Sequence, residues 1–224
     1  MAGVHGRAII TPYCSRRGLF ELRRVSDLFL FAGWRLSEVP ILKQEQNLFP
    51  ENLLDEPPAD VSGRRWLAYY TKARQEKSLA REFLKLRIPF YLPLVKRHWV
   101  SPAGRRRLSY APLFTGYVFV FGSEDERLQS LTSNRVNRVL YVPDAGQLVF
   151  DLQQIQRLIA TNAPLTVESR LLPGRRVRVR QGVFAGLEGT VLKRRGQTRL
   201  LVSVNFLQQG ASVEIDDFLL EPLD

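Results

Sequence analysis

The chain has 224 residues, of which 45% are hydrophobic, so it is long enough for one or two domains with well-buried cores. Its 33 Lys and Arg against 22 Asp and Glu give a net charge of +11, which favours a negatively charged partner, nucleic acid above all. The single cysteine, Cys14, excludes an internal disulfide, and no apolar run approaches the roughly 20 residues of a membrane span. We therefore expect a cytoplasmic protein without membrane contact. The excess positive charge is concentrated in residues 61–150, which hold 16 Lys and Arg against 6 Asp and Glu.

Residues 1–62 are predicted to be a poorly ordered N-terminal extension. They show no sustained hydrophobic periodicity, and residues 51–60 form an acidic segment with adjacent prolines, which is typical of a linker. The first 38 residues allow two interpretations, because Met1 is the only methionine. They are either a flexible tail or a stretch upstream of a true translation start near Val39.

Residues 63–162 are predicted to form the first folded domain, with the element order βαββαβ followed by one more helix. Strands are predicted from β-branched and aromatic residues, and helices from apolar spacing and capping residues. The predicted strands cover Trp66–Thr71, Phe90–Val100, Leu108–Phe121 and Val136–Val142, and the predicted helices cover Gln75–Arg87, Ser123–Leu131 and a third segment capped by Asp151. That order is typical of a ferredoxin-like α+β sandwich with its helices on one face of the sheet.

Residues 163–172 are predicted to be a linker, and residues 173–224 are predicted to be a small all-β domain. Val177 and Val179 alternate with arginines, which indicates a strand with one apolar and one basic face. Several short strands separated by glycine turns favour a small SH3-like β-barrel.

Two motifs resemble those of the NusG family of transcription elongation factors. The segment Trp66–Tyr70 and, after a basic helix, Pro112–Val120 (PLFTGYVFV) are similar to the family's N-terminal NGN domain, although Thr115 stands where the family usually has proline. The segment Pro173–Val191 (PGRRVRVRQGVFAGLEGTV) resembles the KOW motif. The resemblance spans about Arg65–Leu223. The sequence of the strand segment also resembles that of the specialised RfaH-like paralogues. It implies an NGN domain, a KOW domain, and a function in transcription elongation or antitermination.

The resemblance implies that the NGN domain binds the clamp helices of bacterial RNA polymerase through an apolar patch. Carried over by position, the patch comprises Tyr70, Tyr91, Leu113 and Phe114, and we expect the fold to leave it uncovered. Aromatic side chains with a polar tip suit the core of an interface, because they bury a large area at low entropic cost. The alternative for each of them is packing inside the sandwich, the usual place of an aromatic residue.

Basic residues near the patch are candidates for contact with the non-template DNA strand, which the resemblance also implies. Lys72, Arg74 and Lys77 lie at and after the predicted strand–helix junction. Lys77 begins an i, i+4 row of like charges, which is unfavourable on an isolated helix and suggests a polyanion opposite it. Arg105, Arg106 and Arg107 form the tip of the predicted hairpin. A solvated charged face is the alternative for both groups.

The resemblance implies that the KOW domain recruits a second partner, with the ribosomal protein NusE, the ribosome and Rho as candidates. Phe184 and Phe206 are the candidate contacts, and core packing is the alternative for both. RfaH-like proteins can refold this domain as a helical hairpin. The valine-rich strands of this chain favour a domain that stays β throughout.

The sequence shows no set of side chains that points to catalysis, to a metal or to a cofactor. The two histidines, His5 and His98, lie far apart in the sequence, and no phosphate-cradling loop is evident. We therefore expect a monomeric, non-enzymatic protein without a cofactor. An RNA-binding or ribosome-associated KOW protein is the alternative function that the sequence leaves open.

Overall fold

A computed structural model describes residues 45–55, 63–100, 102, 104–170, 174–194, 196–216 and 219–223. The predicted N-terminal extension lies outside the described residues except at 45–55. The strands are β1 (Leu48–Phe49), β2 (Arg65–Thr71), β3 (Phe90–Tyr91), β4 (Leu94–Val100), β5 (Arg106–Pro112), β6 (Tyr117–Gly122), β7 (Val136–Tyr141), β8 (Thr166–Glu168), β9 (Arg176–Val179), β10 (Glu188–Arg194), β11 (Gln197–Val204), β12 (Gln209–Glu214) and β13 (Leu220–Pro222). The α-helices are α1 (Glu76–Leu86), α2 (Glu124–Leu131) and α3 (Ala145–Ala160).

The first part of the fold is a five-stranded antiparallel sheet with the strand order β1-β3-β6-β2-β7. The four strands β3-β6-β2-β7 have the order of a ferredoxin-like sandwich, so the predicted α+β class is confirmed. Strand β1 adds a fifth strand at the β3 edge.

Side-chain alternation gives this sheet two faces with different covers. One of them, here called face B, carries Leu67, Tyr69, Val118 and Val120, and these residues share a core cluster with the apolar residues of α1. Tyr69 Oη also forms a hydrogen bond of 3.1 Å with Ser130 Oγ of α2. Burial raises the pKa of the Tyr69 hydroxyl, against the lowering effect of this hydrogen bond. Helices α1 and α2 therefore cover face B.

The opposite side of the sheet, here called face A, carries Trp66, Ala68, Tyr91 and Phe119, with Tyr70 at its end. It shares a core cluster with α3 rather than with α1 or α2. The buried apolar residues that α3 contributes are Leu148, Leu152, Ile155 and Leu158. The expectation that the helices lie on one face is thus correct for α1 and α2 and wrong for α3.

Residues 45–55, here called the cover segment, also contribute to the core of face A. Strand β1 pairs with β3 and places Leu48 opposite Tyr91, while Leu53 and Leu54 are buried in the same cluster. The prediction of a poorly ordered extension is therefore wrong at these residues. The three leucines provide enough apolar surface to hold the segment, although their spacing fits neither a strand nor a helix period.

Helix α3 begins earlier than the sequence predicts. The N-cap is Asp144, whose side chain accepts a hydrogen bond of 2.9 Å from the N–H of Gln147. Leu148 extends the apolar stripe towards the N-terminus. The predicted cap, Asp151, is instead a buried residue in the middle of the helix.

The two long strands predicted at Phe90–Val100 and Leu108–Phe121 are each divided in two. Pro93 interrupts the first because it has no N–H to donate, and residues 113–116 interrupt the second with a turn. The segments between these interruptions, β4 and β5, pair with each other as a separate two-stranded sheet, here called the hairpin.

The C-terminal part of the chain forms a six-stranded antiparallel sheet, the C-terminal sheet, with the order β13-β9-β10-β11-β12-β8. Val177 and Val179 are buried while Arg176 and Arg178 are exposed, which confirms the alternation read from the sequence. Strand β8 pairs with β12 although it lies within the residues predicted to be a linker.

Helix α3 also packs against the C-terminal sheet. Asp151 Oδ2 accepts a hydrogen bond of 2.8 Å from the N–H of Asn205, and Gln154 Oε1 accepts one of 3.1 Å from the N–H of Glu188. Asp151 Oδ1 accepts a further hydrogen bond of 2.7 Å from Gln147 Nε2. Burial raises the pKa of the Asp151 carboxyl, because desolvation outweighs the lowering effect of these donors. The five-stranded sheet and the C-terminal sheet thus share α3 as a common layer.

Candidate binding surfaces

Tyr70, at the end of β2, is the exposed member of the predicted patch, with 39% of its surface accessible. Its ring centroid lies 5.2 Å from that of Tyr117, the residue opposite it in β6. A Cβ atom on Gly116 would lie 2.9 Å from Tyr70 Cε2, and Gly116 has φ of +85°. Only glycine therefore fits beneath this ring without strain. Tyr70 and Tyr117 form an aromatic pair at the end of face A.

The turn beneath Tyr70 is fixed by buried hydrogen bonds. The N–H of Gly116 donates to Glu76 Oε1 at 2.7 Å, and the carbonyl of Gly116 accepts from the N–H of Thr71 at 2.8 Å. Glu76 lies in the first turn of α1, where the helix dipole favours a carboxylate. The position of the aromatic pair is therefore preorganised.

Tyr91, Leu113 and Phe114 do not lie on the surface in this structure. Each is only 1% exposed, which contradicts the expectation that the fold leaves them uncovered. Phe114 packs edge-on against Phe119 with 6.4 Å between the ring centroids, and burial raises the pKa of Tyr91. The physical reason is that an apolar side chain is buried equally well against apolar residues of its own chain and against those of a partner. Here the core cluster that contains all three residues also includes α3 and the cover segment.

The cover segment is attached to the domain by leucine burial and by a small set of polar contacts. The N–H of Leu92 donates to the carbonyl of Asn47 at 2.7 Å. The Nε2 of Gln153 on α3 donates to the carbonyl of Leu54, also at 2.7 Å. These contacts join the segment to the edge of the sheet and to the helix beside it.

A cavity of about 830 Å³ opens between the hairpin and the C-terminal end of α3. Leu94, Leu113 and Ile159 contribute to its apolar lining, so one member of the predicted patch borders this space. Lys96 Nζ on the hairpin donates to Asn162 Oδ1, just after α3, at 2.7 Å. Apolar walls with a few polar groups suit an apolar side chain of a binding partner.

The predicted basic group at the start of α1 is on the surface. Lys72 and Arg74 are exposed and Lys77 is half-buried. Lys72 Nζ donates to Asn134 Oδ1 at 2.6 Å, which orients this ammonium group at the end of the sheet. The structure thus brings these three cations together at one strand–helix junction.

The hairpin carries the second predicted basic group and an aromatic residue that the sequence analysis missed. Arg105, Arg106 and Arg107 are exposed. Trp99 lies opposite Arg107 in the register, and the guanidinium carbon of Arg107 is 5.5 Å from the ring centroid. The sequence predicts Arg106 and Arg107 in the turn, whereas both lie in β5, so the pairing of Arg107 with Trp99 was not foreseen.

The two candidate phenylalanines of the C-terminal sheet are both half-buried and pack against the larger core cluster. Phe184 lies in the turn between β9 and β10, beside Val183, which is 78% exposed. Phe206 lies in a 3-10 turn next to Asn205, the residue bonded to α3. Val183 was expected among the valines that favour strand, but it lies in a turn, and its exposure gives no periodic signal in the sequence.

Among the described residues, no group of three or more His, Cys, Asp and Glu side chains is placed to hold a metal ion. In the same part of the chain, no helix has the length and apolar character needed to cross a membrane. His5 and Cys14 lie outside the described residues.

Comparison with protein families matches residues 64–169 to the family described as "Transcription termination factor nusG". No curated protein matches the chain. One of the matching solved structures is described as "Crystal Structure of MjSpt4:Spt5 complex conformation B", with 15% identity, a TM-score of 0.23, and coverage of 71% of this chain and 97% of that chain. The family segment contains Tyr70, Tyr117, the hairpin and all three helices. Residues 64–169, a little under half of the chain, therefore match the NusG family's domain.

Proposed function

We propose that this transcription elongation factor binds the clamp helices of RNA polymerase through the exposed end of face A, at Tyr70, and recruits a second partner through the C-terminal sheet. The observation that carries the proposal is the aromatic pair of Tyr70 and Tyr117, held over Gly116 within the family segment. Preorganised aromatic side chains with polar tips are the kind of residue that dominates the energy of protein interfaces.

The buried members of the predicted patch contribute to docking from beneath the surface. Leu113 borders the cavity beside the hairpin, where an apolar side chain of the polymerase inserts. Phe114 packs edge-on against Phe119 and stabilises the position of that side chain on face A. Tyr91 lies under the cover segment and joins the docking surface only when that segment leaves β3.

Docking favours elongation by population shift. A factor that binds the closed clamp more tightly than the open clamp stabilises the processive state by the difference in binding free energy. A tenfold preference corresponds to about 1.4 kcal/mol. The factor needs no chemical step for this effect.

Contact with the non-template DNA strand accompanies docking. Lys72, Arg74 and Lys77 supply positive charge at the start of α1, and Arg105, Arg106 and Arg107 supply it at the hairpin. Their position on the surface and the basic excess of residues 61–150 support this part of the proposal. Because phosphate neutralisation releases counterions, the contact weakens steeply with salt.

The C-terminal sheet binds its partner, with NusE, the ribosome or Rho as candidates, through the turn that carries Phe184. The exposed Val183 beside it enlarges the apolar surface that a partner can cover. Phe206 lies at the contact with α3 and is the weaker candidate.

Co-purification of the affinity-tagged chain with bacterial RNA polymerase tests the proposal. We expect polymerase subunits to elute with the wild-type chain and to be depleted for Tyr70→Ala. Tyr141→Ala is the matched control, because Tyr141 is a 51% exposed tyrosine that pairs with Leu67 and therefore lies on face B, the opposite face of the sheet from Tyr70. A wild-type eluate that contains ribosomes and no polymerase would contradict the proposal and favour the ribosome-associated alternative.

A further inference from the structure

The hairpin carries charge of one sign only. Residues 94–112 include Lys96, Arg97 and Arg105–Arg107, and they contain no Asp or Glu. Strands β4 and β5 have seven residues each and form a sheet of their own, which extends over about 23 Å at the usual rise per residue. A basic ribbon of this length complements the charge of a nucleic-acid backbone.

The strand register sorts the hairpin side chains onto two sides. Trp99 is paired with Arg107, and Arg97 is paired with Ser109, so these four residues share one side. Val100 follows Trp99 and lies on the opposite side. Two cations and an indole ring are thus presented together.

Trp99 remains 46% exposed although tryptophan is usually well covered. Arg107 lies over its ring at 5.5 Å, within the range of a cation–π contact. This contact restrains the indole and leaves ring surface open to a flat partner. Nucleobases are flat and stack on exposed aromatic rings in a sequence-tolerant way.

We propose that the Trp99–Arg107 stack is a binding site for unpaired nucleobases, with one base lying on the indole and Arg97 contacting an adjacent phosphate. This inference rests on the proposed DNA contact of the hairpin and names the ligand as a single strand. The base faces of a duplex are already stacked on one another, whereas an unpaired base can leave its neighbours and stack on a side chain.

Intrinsic fluorescence of the full-length protein tests the proposal directly. In a Trp34→Phe background the tryptophans are Trp66, which is 4% exposed, and Trp99. The protein is titrated at low salt with an oligothymidine of roughly 15 nucleotides and with a duplex of the same length. We expect the single strand to quench the Trp99 emission and the duplex to leave it unchanged.

Three variants separate stacking from charge attraction, with the affinities measured by fluorescence anisotropy of dye-labelled single-stranded and duplex oligonucleotides. Trp99→Ala is expected to weaken single-strand binding by about 5- to 100-fold and to leave duplex binding unchanged. Trp99→Phe is expected to restore most of the single-strand affinity, because phenylalanine also stacks. Val100→Ala is the control on the opposite side of the hairpin and is expected to bind like the parent protein.

Two results would overturn the stacking site and leave the electrostatic contact of the arginines in place. One is saturable single-strand binding without a change in fluorescence, and the other is an equal loss of single-strand and duplex affinity in Trp99→Ala. Absence of binding to either oligonucleotide at low salt would overturn both the stacking site and the proposed hairpin–DNA contact. Polymerase docking is measured separately by the co-purification experiment.

Discussion

Gln153 on helix α3 donates a hydrogen bond of 2.7 Å from Nε2 to the backbone carbonyl of Leu54, which ties the cover segment to the helix that packs on the same sheet face. Tyr91, one of the residues that the sequence marks for polymerase docking, lies in this cluster opposite Leu48. The chain therefore occupies part of its own expected docking surface with residues 45–55. A partner that contacts Tyr91 has to displace this segment.

Weakening the cover segment is expected to strengthen polymerase binding. The double variant Leu53→Ser, Leu54→Ser removes the apolar burial that holds the segment, so less free energy opposes its release from face A. The affinity for RNA polymerase, measured by fluorescence anisotropy of the labelled chain, is expected to rise several-fold. Asn52→Ser, an exposed position of the same segment, is the control. Unchanged or weaker binding by a variant that keeps its circular-dichroism spectrum would contradict this role.

The protein is expected to lose stability as the pH rises through the pKa of Asp151, which lies between α3 and the C-terminal sheet. Burial raises the pKa of Asp151, so the folded state holds this proton more tightly than the unfolded state does. The resulting stability is fully present below the unfolded pKa and is lost as the pH rises through the higher folded pKa. Urea unfolding of the wild type and Asp151→Asn across the range from about pH 3.5 to 7 checks this prediction.

The comparison of the two proteins isolates the titration of Asp151 from that of other carboxyl groups. Relative to Asp151→Asn, the wild type is expected to lose free energy of unfolding as the pH increases. If the difference in free energy of unfolding stays constant with pH, or changes in the other direction, burial does not raise the pKa of Asp151.

Replacing Gly116 is expected to destabilise the domain and to displace Tyr70. Gly116→Ala places a Cβ atom 2.9 Å from Tyr70 Cε2 in addition to the cost of positive φ, which is about 1–2 kcal/mol. Gly104→Ala carries a similar φ cost at +73°, but its Cβ atom would meet open space. The free energy of unfolding of both variants checks the prediction, and a larger loss is expected for Gly116→Ala. Equal losses would mean that Tyr70 does not pack against this turn.

Charge reversal at the start of α1 is expected to weaken the DNA contact and to leave polymerase binding intact. Lys72→Glu, Arg74→Glu replaces two cations that the proposal places on phosphates, so the slope of log K against log salt should fall by about 1 to 2. Binding of single-stranded DNA and of polymerase is measured in separate titrations. Arg157→Glu, Arg176→Glu is the control of equal charge, because both arginines are exposed on other elements, α3 and β9. An equal loss of DNA affinity and polymerase affinity would contradict the proposal that these cations bind DNA and not polymerase.

Local features of the fold could be predicted because nearby residues determine them. The capping box expected at Ser123 and Glu126 is present, with the Ser123 side chain bonded to the N–H of Glu126 and the Glu126 side chain bonded to the N–H of Ser123. The alternation of Val177 and Val179 with arginines likewise defines a half-buried strand. The two capping residues lie three positions apart, and the alternation in β9 is contained within four residues.

Features that depend on distant partners could not be predicted from the same patterns. Asp144 and Asp151 both suit an N-cap, and the buried role of Asp151 follows from Asn205, 54 residues away. The burial of Phe114 depends on the packing of segments that are remote in the sequence. The cover segment contains apolar residues without a clear period, so its order becomes visible only through its contacts with β3 and α3.

The most direct test of the central claim is the affinity of RNA polymerase for Tyr70→Ala compared with Tyr141→Ala, measured by titration under identical salt conditions. If the aromatic pair on face A anchors the polymerase, Tyr70→Ala should bind about tenfold or more weakly, because truncation of an anchor residue usually costs more than 1 kcal/mol. Tyr141→Ala should bind like the wild type. Equal affinities for the two variants would contradict docking through face A.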